Sequence, residues 1–186
     1  MDAVSLLKQD HSQVAALFKE FDEADTEDKT LLAGQICQLL TIHALIEEEL
    51  LYPAARGVLD EDDESLVDEA TVEHASVKEL VDQIAGTGAE DELFEAKVTV
   101  LGEYVNHHVK EEEEELFPKL QETQLDLEAL GLSLVTRKKE LMTELGVSSD
   151  DAVDQDAEQE APGNVAPPIA ESSKPKSRRG NGVPKR

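Results

Sequence analysis

The chain has 186 residues, 39% of them hydrophobic and 32% charged, and a formal net charge of −26. That length supports one ordinary domain with a real core, plus a tail. So acidic a surface repels nucleic-acid phosphates and anionic membranes, which argues against nucleic acid or a membrane as partner of the main domain.

Tryptophan is absent and other aromatics are few. The core is therefore expected to be Leu, Val, Ile and Ala, which suits helices packed on helices. Cys37 is the only cysteine, so no intrachain disulfide can form, in keeping with a reducing compartment. The first residues lack a basic segment followed by an apolar run, and no apolar stretch approaches the roughly 18 residues of a membrane span. The expected location is cytoplasmic.

Helical periodicity runs from the start to about residue 145. Segment one, about 2–24, carries Val4, Leu7, His11, Val14, Phe18 and Phe21 at alternating three- and four-residue spacing. Segment two, about 28–57, gives Leu32, Ile36, Leu39, His43, Glu47, Leu50 and Ala54. Segment three, about 62–86, gives Val67, Ala70, His74, Val77, Val81 and Ile84. Segment four, about 90–121, gives Phe94, Val98, Leu101, Val105, His108, Glu112 and Leu116. The breakers between them are Asp25 to Asp28, Gly57 with Asp60 to Ser65, and Gly86-Thr87-Gly88. Such short connections predict an all-α, up-down-up-down four-helix bundle. A short fifth helix, about 124–145, is marked by Leu125, Leu130, Leu134, Leu141 and Leu145 and ended by Gly146.

The domain is thus expected over residues 1–146 and a disordered tail over 147–186. Residues 150–160 hold six acidic and no basic side chains, and residues 172–186 hold six basic and no acidic ones.

Each of the four segments places one histidine on its apolar face: His11, His43, His74 and His108. Two add a glutamate one turn later on the same face, Glu47 and Glu112. A lone inward histidine is usually a core residue with one hydrogen bond. Four of them, with two carboxylates whose burial would cost several kcal/mol, point to a metal cluster. Without a metal these groups would have to pair with one another. His107 lies about 100° round the helix from His108, so it is expected to flank the site or face solvent.

The pattern repeats. His43, Glu47, Leu51 and Pro53 recur 65 residues later as His108, Glu112, Leu116 and Pro118, with Tyr52 matched by Phe117. Asp10-His11 recurs 63 residues later as Glu73-His74. Two helical hairpins, each carrying His and then His-x-x-x-Glu, predict a pseudo-twofold bundle with a two-metal centre.

The runs HALIEEELLYP (43–53) and HVKEEEEELFP (108–118), with KQDH (8–11) and the Glu73-His74 pair, resemble the hemerythrin-like, or HHE cation-binding, family over about residues 4–120. The resemblance implies two iron ions joined by an oxygen bridge. Glu47 and Glu112 would be shared between the irons, and His11, His43, His74 and His108 would be terminal ligands. Oxygen-carrying hemerythrins have a further histidine one turn along the third helix. Here the candidate positions are Ala70, Val77 and Lys78. The gap implies an open coordination position, or one filled by water, Glu48 or Glu115.

The implied function is a di-iron protein that binds, senses or decomposes O2, peroxide or NO, with catalase-like turnover as one form. The alternative is an iron-buffering or sensing module without turnover. Tyr104, four residues before His108, is expected to fill core space with its hydroxyl bonded, or else to support the site. Cys37 is expected to be at least half-buried.

Overall fold

The computed structural model describes residues 1–147. These residues form helices α1 (Ala3–Glu23), α2 (Thr26–Ile46), α3 (Tyr52–Arg56), α4 (Glu61–Ala85), α5 (Phe94–Glu111), α6 (Phe117–Glu122) and α7 (Leu127–Glu144). π-Helical turns at Glu47–Leu51 and Glu112–Leu116 join α2 to α3 and α5 to α6. No strand occurs among the described residues. The expected tail lies, from residue 148 on, outside them.

Local chemistry fixes the helix starts. Asp2, Asp60 and Asp126 each accept a hydrogen bond from the backbone N–H three residues on, satisfying a donor that the first turn leaves free. α4 adds Glu61, Asp62, Asp63 and Glu64 against the positive end of its dipole. α5 begins at Phe94, later than the periodicity suggests. Asp91 accepts the N–H of Leu93 at 2.8 Å and holds that stretch in a turn. At the other end of the domain, Gly146 adopts φ 66°. The Val147 N–H then reaches back to the Met142 carbonyl and closes α7.

Four antiparallel rods form the bundle: α1, α2 continued by α3, α4, and α5 continued by α6. α1 packs on α2 and α5, and α4 packs on the same two from the opposite corner. α7 lies outside this square, against α1, α2 and the first π turn. Gly131 permits that approach, because a Cβ there would stand 2.7 Å from the Met1 carbonyl and 2.8 Å from the Ala3 nitrogen.

The π turns shift the phase of the apolar stripe. In each, the sixth residue returns its N–H to the first: Tyr52 to Glu47 and Phe117 to Glu112. A proline follows directly in both. Within an α-helix its ring would crowd the carbonyl four residues back, and a wider turn relieves that contact. The extra residue carries Leu51 and Ala55 into the core and leaves Leu50 and Ala54 half-buried. The stripe expected through Leu50 and Ala54 is therefore off by one beyond Glu47.

One further expectation changes. The continuous helix Thr26–Arg56 does contain a window long and apolar enough to cross a membrane, although 61% of that window is buried within the bundle. α2 is apolar on most of its circumference because α1, α4 and α7 all pack on it.

The interior has two apolar layers. One contains Val4, Leu7, Ile46, Leu51, Phe117 and Leu134, and the other Val14, Ile36, Leu40, Val98 and Leu101. Between them every rod contributes polar side chains: Asp10 and His11, His43 and Glu47, His74, and His108 and Glu112, all buried.

Candidate metal centre

The four histidines turn their Nε2 atoms toward one another in pairs. Nε2 of His11 and of His43 are 3.1 Å apart, and so are Nε2 of His74 and of His108. The two carboxylates link the pairs. Glu47 Oε2 is 3.3 Å from Nε2 of both His43 and His74. Glu112 Oε2 is 3.4 Å from His11 Nε2 and 3.6 Å from His108 Nε2. The six residues singled out in the sequence thus converge on one point between the apolar layers.

Each histidine faces a carboxylate through its other nitrogen. His11 Nδ1 is 2.9 Å from Glu113, His74 Nδ1 is 3.1 Å from Glu48, and His108 Nδ1 is 2.8 Å from Glu73. His43 Nδ1 is 3.5 Å from Asp10, longer than a hydrogen bond. The arrangement follows the repeat. The acidic residue before the histidine of one helix serves its hairpin partner, as Asp10 does for His43 and Glu73 for His108. The residue after the inward glutamate serves a histidine of the other hairpin, as Glu48 does for His74 and Glu113 for His11.

Cations back these carboxylates. Lys138 donates to Asp10 at 2.5 Å, and Lys78 donates to both oxygens of Glu48 at 2.7 and 2.6 Å. Lys8 stands 3.7 Å from Glu113, whereas Glu73 has the exposed ring of His107 beside it at 3.5 Å.

The consequence is electrostatic. A carboxylate accepts only from an Nδ1 that carries its proton, so in a neutral ring of His11, His74 or His108 the matching Nε2 is left with a lone pair for a ligand. The Nε2 atoms then face each other at 3.1 Å within each histidine pair, beside acceptor oxygens. Both oxygens of Glu47 and Oε2 of Glu112 have no hydrogen-bond partner although their side chains are fully enclosed. Such an array attracts positive charge, whether protons or a metal ion.

Titration behaviour divides the four histidines: burial lowers all of them, but Glu112 and neighbouring glutamates outweigh it at His11 and His108 and raise those two, while His74 stays lowered. Burial and the charge of Glu112 hold the Glu47 carboxyl well above the usual carboxylate range. Burial acts the same way on Glu112, but His108, His11 and His43 outweigh it and draw Glu112 down. Burial pushes the His43 imidazole down to about 4, which favours its neutral, ligating form.

Two imidazoles beside shared carboxylates, twice over, suit a first-row transition metal ion in each half. His11, His43, Glu47 and Glu112 form one group whose donor atoms lie within 4.8 Å of one another, and Glu47, His74 and His108 form another.

A hemerythrin HHE cation binding domain model matches residues 2–120. The chain belongs to that family. Among similar proteins, a DNA nickase of Nostoc sp. is 34% identical over 118 residues. That match covers 63% of this chain and 33% of the Nostoc protein, so the chain spans about a third of that relative's length. The crystal structure of an HHE cation binding domain-containing protein from Mycobacterium kansasii superposes with a TM-score of 0.66 at 24% identity. It covers 77% of this chain and 89% of that one, and the likeness shows a shared fold.

Within this HHE domain some side chains depart from expectation. Tyr104 is 48% exposed and neither fills the core nor supports the site, because the inward face of α5 passes through Leu101, Val105 and His108. Glu48 serves His74 and Lys78 from outside the ring, and Glu115 is exposed, so neither fills the position of the absent histidine. Tyr52 stands there. Its hydroxyl donates to Glu112 Oε1 at 3.1 Å and lies 3.3 Å from His74 Nε2. The π turn before Pro53 aims it inward. Its repeat mate Phe117 stacks on His11 with ring centroids 5.9 Å apart. His107 has 63% of its side chain exposed, and Cys37 is buried.

Proposed function

We propose that this HHE domain holds two iron ions, one in each histidine pair, with Glu47 and Glu112 shared between them. The observation that carries this reading is the convergence of four ring Nε2 atoms, two by two, around carboxylate oxygens that have no partner. Imidazole and carboxylate together suit iron, and the family resemblance favours it over zinc or manganese. When bound, such a pair supplies Lewis acidity and one-electron redox chemistry.

On this reading the centre binds, senses or decomposes a small oxygen-derived ligand: O2, peroxide or NO. The chain's own groups hold the ligands in orientation. Asp10, Glu48, Glu73 and Glu113 face the four Nδ1 atoms and set how each ring points. Tyr52 keeps a proton directed at Glu112 and presents an oxygen on the His74 side. The apolar layers above and below exclude bulk water.

A module that buffers or senses iron without turnover uses the same ligand set. Peroxide loss separates the two. Iron-loaded protein should consume peroxide over many equivalents and iron-free protein should not. Loaded protein that leaves peroxide untouched would favour buffering or sensing. The nicking activity in the Nostoc relative's name belongs to a protein of which the match covers only 33%, and the charge of −26 disfavours contact with phosphates.

A further inference from the structure

A groove of about 380 Å3 opens between α1 and α5 and reaches His11. A second, much smaller chamber of about 20 Å3 lies over the four histidines. The two spaces share His11, Val105 and Val109 as a common wall. Gly102 lines the groove and lets the ring of Phe18 lie close to α5, since a Cβ there would stand 3.3 Å from that ring.

We propose that this groove is the entry passage for a small neutral ligand, with Val105 and Val109 as its inner gate. The proposal rests on the ligand-binding reading above and adds the route and the selectivity. The chamber admits little more than one water-sized body, so the occupant has about two heavy atoms. Asp22 and Glu103 line the groove on a chain of net charge −26, so anions are repelled and neutral molecules pass. Phe18, Phe21 and Val98 make the wall apolar, which favours partition of an uncharged diatomic molecule from water. Rotation of the Val105 and Val109 side chains would open the wall that the two spaces share.

The test uses the full chain without metal, methyl-labelled at valine, under dissolved oxygen as a paramagnetic probe. Methyl relaxation at Val105, Val109 and Val14 should be enhanced severalfold over Val4 and Val67, which sit in the other apolar layer. Ala15→Trp, at an exposed position lining the groove, should remove most of that enhancement. Thr99→Trp, exposed on the opposite wall, should do the same and guards against misfolding of the first variant. Equal enhancement in both layers, or unchanged enhancement in both folded variants, would overturn the passage. Because no metal is involved, that failure is separate from failure of the di-iron reading, which iron content decides.

Discussion

Glu47 reaches across the bundle to His74: its Oε2 lies 3.3 Å from Nε2 of that histidine, on the other hairpin, and 3.3 Å from Nε2 of its own neighbour His43. One carboxylate thus joins both histidine pairs while making no hydrogen bond. Its burial is a cost that a bound cation removes. In metal-free protein Glu47→Leu should therefore raise stability, by about 1–4 kcal/mol in denaturant titrations. Ferrous iron should raise the melting temperature of the parent protein and leave the variant unmoved. A variant less stable than the metal-free parent would mean that Glu47 is satisfied in some other way.

Lys138 ties α7 to the site through Asp10. Its side chain is only 16% exposed and its ammonium is 2.5 Å from the carboxylate that faces His43. Lys138→Met leaves that carboxylate without its cation. A loss of about 1–3 kcal/mol is expected, discounted for the remaining exposure. Asp10→Asn in the same chain should recover part of it, and a double-mutant cycle by urea unfolding measures the coupling.

Gly131 lets α7 lie against the start of α1. The Cβ of Gly131→Ala would meet backbone atoms of Met1, Asp2 and Ala3 at 2.7–2.8 Å, and backbone cannot swing aside as a side chain can. A loss of about 1–3 kcal/mol is expected, read as a lower melting temperature. By contrast, Gly34→Ala, with open space around it in the middle of α2, should be neutral or stabilising.

Cys37 gives a pH dependence away from the polar layer. Burial pushes its thiol up to about 11 from a usual 9.0. The folded form therefore holds that proton more tightly than the unfolded form. Its contribution to stability is flat below pH 9 and falls as pH rises from there toward 11. At pH 8 a thiol reagent should react slowly with native protein and quickly in denaturant. Equal rates would show that the helix opens readily at this position.

Much of this was legible in the sequence for a physical reason. His11, His43, His74 and His108 interrupt otherwise apolar stripes of period near 3.6, and the helices are long enough for that period to be unambiguous. The π turns were not legible, although Pro53 and Pro118 sit where they end, so the phase beyond Glu47 slipped by one residue. Nor was the pairing of Asp10, Glu48, Glu73 and Glu113 with histidines on other helices. Adjacent acidic residues such as Glu48 and Glu49 look alike in sequence, and only the rotation of neighbouring helices decides which one turns toward an imidazole. Tyr52 and Tyr104 show the same limit. Spacing favoured Tyr104, whereas the inserted residue before Pro53 delivers Tyr52.

The most direct test of the central claim is iron per chain in freshly purified protein of residues 1–186, measured beside Glu47→Ala and Glu112→Ala. Two irons per chain in the parent, lost from both variants while their helical content persists, is the expected result. A parent that carries no metal and takes up none from ferrous iron, or variants that keep the full complement, would contradict the shared-carboxylate centre.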